Sequence, residues 1–440
     1  MTRSVRLAAY SVDPPALDPF HSFDPESFVA ISMIADSLVH FDANGDPQPS
    51  LATRWERTGP MTMEFELRQG VRFHDGSPFD ADSVVATFEA HLDPEQPSIG
   101  GKGLLSAIKS VTKLGDFRVR FETHFPDALL LRRFFFSQIY PAHILRTKGR
   151  AAIFAHPVGT GAFELVHWQK GHEIRLRKNP KHWAQRDTVD EIVIPILKQK
   201  EWVDALTRGE IDVAINVDAH DAARLSGREG VSVAHASAAI SHFFLLASKG
   251  PLADVRVRRA LNHAVHRQLL VDVSEHGHAK VQCGLATAEA EGYDPSILPY
   301  RYAPETAKRL LIEAGHERME LHGLVSETSI GVYLAVREFL ARVGVTLTAE
   351  IVPRGELVQR VVVDRMMGAT IDHDFILTNC DNPVLHSLFH QYIFFFSQGP
   401  FSLNKSPAYD QAFLAAATEI DPEKSLAAQQ SLERYAHDQA

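Results

Sequence analysis

Two hydrophobic periods take turns along this chain, and their interleaving decides its class before any single residue is considered. Apolar residues recur at every second position, as strands require, over residues 5–9 (Val5, Leu7, Ala9), 63–67, 117–121, 163–166, 174–176, 191–197, 211–215 and 345–351. Between these segments, apolar residues three and four apart mark helices over 26–41 (Phe28, Ile31, Ile34, Ala35, Leu38), 80–88, 201–207, 255–273, 304–314 and 330–343. Strands and helices mixed in this way give an α/β or α+β chain. Its 440 residues exceed what one hydrophobic core organises, so two or three lobes are expected, with a composition change at 237–241 as the boundary. No internal repeat or low-complexity tract interrupts the pattern.

Local signals refine these elements. Asp24 is placed to cap the first helix, with Pro25 at its first position. Asn44-Gly45-Asp46-Pro47 reads as a turn, followed by a short helix or bend over 50–55. Gly70, Val71-Arg72-Phe73 and the tight turn His74-Asp75-Gly76-Ser77-Pro78 predict a hairpin, as does Gly115-Asp116. Gly171 divides another strand pair. The aromatic runs Phe134-Phe135-Phe136 and Tyr392-Ile393-Phe394-Phe395-Phe396 read as core, because ring burial is a large stabilising term.

Several function classes find no footing. A formal net charge of −10 gives no basic field for nucleic acid. No run reaches the roughly 18–20 apolar residues of a membrane helix. The first residues lack the apolar stretch of a secretory signal, so a signal is expected either to have been removed or never to have been present. Cys283 and Cys380 are the only cysteines, which leaves one bridge or two free thiols open. Gly100-Gly101-Lys102-Gly103 lacks the spacing and hydroxyl of a phosphate loop and reads as a turn. No nucleophile elbow or zinc-protease motif occurs, so no enzyme activity and no cofactor are expected. His276-Gly277-His278 and Asp372-His373-Asp374 each offer two or three neighbouring donors, but metals need convergent groups, and these histidines read as loop residues.

Three separated stretches carry more specific information. The first is Leu38-Val39-His40-Phe41-Asp42, Pro49-Ser50-Leu51-Ala52-Thr53-Arg54-Trp55 and Phe65-Glu66-Leu67-Arg68-Gln69-Gly70-Val71-Arg72-Phe73-His74-Asp75-Gly76-Ser77-Pro78-Phe79. The second is Gly159-Thr160-Gly161-Ala162-Phe163, Arg177-Lys178-Asn179-Pro180 with Trp183, and Leu206-Thr207-Arg208-Gly209-Glu210-Ile211-Asp212-Val213. The third runs from Pro251-Leu252-Ala253-Asp254 through Arg256, Arg258 and Arg259 to Asn262-His263-Ala264-Val265. In order and spacing they resemble the family 5 extracellular solute-binding proteins of ABC importers, the dipeptide, oligopeptide and nickel-binding group. Gly70, Gly76, Gly159 and Gly161 are scaffold positions in this reading, allowing tight backbone turns.

The resemblance implies an α/β, two-lobe periplasmic-binding-protein fold of the class II type, with an extra subdomain in the first lobe. Residues 1–40 and 160–240 would form lobe I, 41–159 the extra subdomain and 241–440 lobe II, with the family's return segment to lobe I missing. It implies a receptor that captures a peptide or similar polar solute between its lobes by hinge closure and hands it to an ABC permease. An Asp in the loop resembling Asp381-Asn382-Pro383 would pair with a peptide's α-ammonium, although an Asx-type turn before Pro383 is the plain alternative for Asp381. Asn379, Phe20 and His21 are the other residues expected at the ligand. A monomer is expected, periplasmic or otherwise extracytoplasmic, with a lipid anchor as one form of that location. A sensing input domain fused to a membrane signalling protein, and a metal-chelate-binding protein, are the alternative functions.

Overall fold

The alternation at residues 5–9 becomes strand β1 (Ser4–Ala8) in the computed structural model, which describes residues 3–440 apart from 23–24, 97, 103, 185–188, 236–239, 276 and 365–370. Contacts divide the chain into two units, Met1–Val233 and Ala234–Ala440. Asp24 and most of the expected boundary at 237–241 fall outside the described residues.

The first unit holds helix α1 (Pro25–Ile34), the two-stranded ribbon β2 (Val39–Phe41) and β3 (Pro47–Pro49), and an antiparallel sheet. That sheet contains β4 (Ala52–Gly59), β5 (Thr62–Leu67), β6 (Ile108–Gly115) and β7 (Arg118–Thr123) in the order β4-β5-β7-β6. Helix α2 (Ala81–Leu92) packs with it, started by Asp80, whose side chain accepts the N–H of Ser83 at 3.1 Å. Phe65, Phe88, Phe121 and Phe134 fill this core, with ring centroids of Phe88 and Phe121 4.8 Å apart and edge-on. Each such ring, fully buried, contributes about 2–3 kcal/mol of transfer free energy. The run at 134–136 is therefore core, as its composition suggested.

A second sheet in this unit takes β1 and β8 (Phe163–Gln169), β9 (Glu173–Lys178), β10 (Glu191–Pro195) and β11 (Val213–Ala214) in the order β11-β1-β10-β9-β8. Strand β1 is parallel to β10 and β11, so the loop after β1 leaves from the carboxyl ends of parallel strands. The signature glycines act in two ways. Gly70 and Gly76 have φ of +77° and +85°, as turns require, whereas a Cβ on Gly159 or Gly161 would sit 2.2 and 2.4 Å from the carbonyl oxygens of Ile34 and Met33. The second pair lets the chain cross the end of α1.

In this first unit, three elements depart from expectation. Of residues 50–55 only Ser50 and Leu51 bend, and from Ala52 the chain is the start of β4, where a register shift between Ala52 and Arg54 hides the two-residue alternation. The helix expected over 26–41 ends at Ile34, because Asp36 is drawn into bonds with Thr160 Oγ1 (2.8 Å) and Trp183 Nε1 (2.9 Å) and the chain continues as β2. The hairpin expected across Gly70 is not one: β5 pairs with β4 and β7, while residues 72–78 fold back on themselves through an Arg72–Pro78 bridge.

In the second unit, β12 (Ser241–Leu246), β13 (Met319–Ser326), β14 (Val345–Val352) and β15 (Phe375–Cys380) form one sheet in the order β12-β15-β13-β14. Strand β13 is parallel to both β14 and β15, and β12 is antiparallel to β15. Helices α3 (Val255–Ala264), α4 (Arg267–Ser274), α5 (Pro304–Glu313) and α6 (Ile330–Ala341) belong to this unit. The single helix expected over 255–273 is split: Val265 is extended (φ −95°, ψ 123°) and His266 starts a new helix by accepting the N–H of Leu269 at 3.1 Å. A Cβ on Gly323 would lie 2.3 Å from the Phe375 ring, so only a bare Cα on β13 admits that ring between the strands. Helices α7 (Ser387–Phe394), α8 (Pro407–Thr418) and α9 (Pro422–Gln439) complete the chain.

A buried ion pair offers a stability test in the first unit. Asp127 is 0% exposed and receives Arg133 Nε at 2.7 Å and the N–H of Leu129 at 3.0 Å. Replacing Arg133 by Met strands that carboxylate, and should lower unfolding free energy by about 3–5 kcal/mol in urea denaturation, with the double change Asp127→Leu/Arg133→Met recovering part of the loss.

Candidate functional site

Strand polarity gathers polar residues at one edge of the second unit. The carboxyl ends of β13 and β15 point the same way, and β12, running oppositely, begins there, so Ser241 and His242 lie opposite Cys380 and Asn379 in the ladder. Open α/β sheets bind ligands at such carboxyl ends. The residues that meet here are His242, Ser326, Thr328, Ser329 and Asn379. Thr328 Oγ1 donates to Asn379 Oδ1 (2.9 Å) and stands 2.8 Å from Ser326 Oγ, while His242 Nδ1 lies 3.2 Å from Ser329 Oγ. His242 Nε2 faces Glu275 at 3.5 Å. Ser326 and Ser329 are buried, so their hydroxyls are fixed rather than solvated.

Asp381 follows β15 directly, half-buried in a tight loop. Its neighbour Asn382 closes that loop: Nδ2 donates to the His386 carbonyl at 3.0 Å, Oδ1 accepts the His386 N–H at 3.3 Å, and Leu385 takes φ +46°. The turn-closing side chain is thus Asn382. The Asp381 carbonyl accepts the Cys380 thiol (Sγ to O 3.2 Å) and faces Nε2 of His390 at 3.1 Å. Both cysteines are free thiols, and burial pushes each above its ordinary pKa.

Behind the loop is a buried polar network. Glu433 on α9 accepts the N–H groups of Leu285 (2.7 Å) and Ala286 (3.2 Å) and the side-chain amide of Gln391 (2.6 Å), and Tyr409 donates to Gln391 Oε1 at 2.7 Å. Burial lifts Glu433 to about 7 even though those donors favour its charged form. Beside β12 the same unit contains a cavity of about 740 Å³, walled by Leu245, Leu261, Leu270, Arg267 and Tyr300, with His242 at its wall too. That volume falls within the range of small-molecule pockets.

The first unit holds the other two expected residues. Phe20 is 1% exposed, packed between the rings of His91 (4.3 Å) and Tyr140 (5.7 Å), which gives it a packing role here. His21 is half-exposed and leans on Asp18, whose Oδ1 lies 3.0 Å from its Nδ1 and accepts the N–H groups of Phe20 (2.9 Å) and His21 (3.2 Å). Asp18, fully buried, is the residue that shapes this loop, and its Asx-type bond to a residue two positions on was a readable signal.

Of the residues expected at the ligand, Asn379 lies near the end of β15 at this edge and Asp381 follows that strand; His242, Thr328, Ser329 and His390, which no local pattern marks, were not among those expected. Of the two candidate metal-binding stretches, His276 lies outside the described residues. Asp372 pairs with Lys249 at 2.7 Å and His373 stacks on His322 at 5.6 Å. Among the described residues no group of three or more His, Cys, Asp or Glu side chains gathers as a metal site.

Comparison with known proteins now adds context. Residues 46–391 match the model for bacterial extracellular solute-binding proteins, family 5, middle region. A probable di/tripeptide-binding protein 5 of Pseudomonas aeruginosa is 29% identical over 362 residues, covering 74% of this chain and 68% of the relative. Heme-binding protein A of Haemophilus influenzae is 28% identical over 314 residues, 64% of this chain and 56% of that protein. The periplasmic binding protein DppA of Helicobacter pylori, solved with the peptide STSA, superposes with a TM-score of 0.88 at 23% identity, over 100% of this chain and 91% of its own. The fold is accordingly the α/β periplasmic-binding-protein fold that the sequence implied.

Glu433 yields a pH test with a definite sign. Its folded value of about 7 lies above the ordinary 4.5, so its contribution to stability is fully present below about pH 4.5 and is lost as pH rises through about 7. Glu433→Gln removes that dependence. The unfolding free energy of wild type relative to the variant should fall by about 3 kcal/mol between pH 4.5 and 8 in urea denaturation.

Proposed function

This chain belongs to the bacterial extracellular solute-binding proteins of family 5, and on that premise we propose that it binds a short peptide through its free amino terminus, with Asp381 as the carboxylate that receives the ammonium. Members of this family bind solutes and are not enzymes. The observation that carries the finer reading is the polar edge at the carboxyl ends of β13 and β15, where Asn379 lies opposite His242 and bonds Thr328, and Asp381 follows Asn379 by two residues. A peptide presents one ammonium, one carboxylate and a row of amides. The edge supplies two half-buried carboxylates, Asp381 in the loop after β15 and Glu275 facing His242, beside neutral donors and acceptors, which complements the amino-terminal end.

The relatives favour the same class: one is named for di- and tripeptides, and the H. pylori structure holds a peptide. Asn379 and Thr328, already bonded to each other, would take the first peptide group. Delivery to an ABC permease, action as a single copy and a place outside the cytoplasmic membrane complete the proposal. No helix among the described residues is long and apolar enough to cross a membrane.

Calorimetric titration with tri-alanine and with N-acetyl-tri-alanine tests this. Wild type should bind tri-alanine, and removing the ligand's charge by acetylation should weaken binding about 30-fold or more. Asp381→Asn should cause a similar loss for tri-alanine yet little for the acetylated peptide. Equal affinity of wild type for both ligands, or no heat with either, would remove Asp381 from this role.

A further inference from the structure

His390 lies in the middle of α7, is 0% exposed, and is the one side chain on that helix that touches the loop carrying Asp381 through a ring nitrogen. Its ring is enclosed by Phe243, edge-on at 4.8 Å, and by Phe389 and Phe394, each with its centroid 5.8 Å away. Both ring nitrogens face carbonyl oxygens: Nε2 is 3.1 Å from that of Asp381 and Nδ1 is 3.3 Å from that of Leu285. Burial lowers the imidazole to about 4, so the ring is neutral over the pH range in which a periplasmic receptor works and has a single N–H for two acceptors.

The surroundings of the two carbonyls decide where that proton goes. The segment at Leu285 is already held by other means, since Glu433 accepts the N–H groups of both Leu285 and Ala286 and is itself fixed by Gln391, the residue next to His390. The Asp381 carbonyl is met by the thiol of Cys380, a weak donor. It also has the shorter contact with the ring. We infer that His390 is a positioning residue for the proposed ligand carboxylate: its ring carries its one proton on Nε2 and donates it to the carbonyl of Asp381, fixing the backbone from which the Asp381 side chain reaches the solute. This rests on the role given to Asp381 above. Among the described residues, the charged and titratable groups around the ring's contacts are the Cys380 thiol and Asp381 from the β15 end, Arg354 acting on Cys380, and Glu433 from α9 by way of Leu285.

The tautomer can be observed directly in the full chain without any ligand. Long-range proton–nitrogen correlation on the 15N-labelled protein between pH 6 and 8 should show His390 protonated at Nε2 alone. Protonation at Nδ1 would place the bond on Leu285 and overturn the inference. The functional arm uses tri-alanine. His390→Phe keeps a buried ring without a donor and should weaken binding about tenfold, whereas His390→Gln, whose amide can donate to the same carbonyl, should restore most of it. Thermal melts of both variants identify any that fails to fold, in which case the tautomer and the Gln variant decide. Unchanged tri-alanine affinity in both variants would also overturn the inference. Absence of tri-alanine binding by wild type would instead count against the peptide reading, leaving the Nε2–Asp381 bond to be judged from the tautomer.

Discussion

The parallel pairing of β15 with β13 is the constraint on which the second unit depends. Parallel strands carry helices on both faces, and such strands are buried on both sides. Strand β15 shows this in its first four residues, Phe375 to Thr378, all buried, whereas Asn379 and Cys380 emerge from the core. The change from apolar to polar along one short strand thus marks where the sheet ends and the site begins. Because β12 closes the sheet in the opposite direction, its first residues arrive at that same edge. A polar edge assembled from three distant parts of the chain follows from strand direction.

Buried polar groups repeat one role across both units: each ties a loop to a neighbouring element. Asp18 gathers the N–H groups of Phe20 and His21, Asp36 joins the end of α1 to Thr160 and Trp183, and Glu433 holds residues 285–286. Asp18 and Glu433 accept backbone N–H groups of loops, where ladder partners are lacking, and Asp36 accepts the side chains of Thr160 and Trp183 just past the end of α1. In this way the loops next to strand ends are held as firmly as the strands. A receptor that selects among small solutes gains from such loops, since less ordering is left for the ligand to impose.

Legibility in the sequence followed the distance over which an interaction acts. The helix beginning at 80–81, the hairpins at Gly115 and Gly171, and the core role of Phe134 were readable because their determinants lie within a few residues. The start of β4 was not, since one extra residue at Ala52–Arg54 moves Trp55 out of step with the strand period. Nor was the break after Ala264, where no glycine or proline interrupts the helical pattern and only the ring of His266 redirects the chain. At the site, Asp381 was found only through resemblance to a family. Its companions were invisible for a plain reason: Thr328 and Asn379 are 51 residues apart, His242 and Ser329 are 87 apart, and register alone unites them.

Gly323 has a consequence that reaches beyond its own strand. The Phe375 ring occupies the volume that any side chain on β13 at this point would need, and Phe375 opens the strand that ends at Asn379 and Cys380. Interstrand distance here is thus calibrated by the hydrogen of Gly323 that faces Phe375, five residues upstream of Cys380. A methyl group at 323 would wedge the two strands apart and carry that displacement toward the polar edge as a rigid offset. Side chains along the edge are therefore freer to change than this glycine, which acts as the gauge block between β13 and β15.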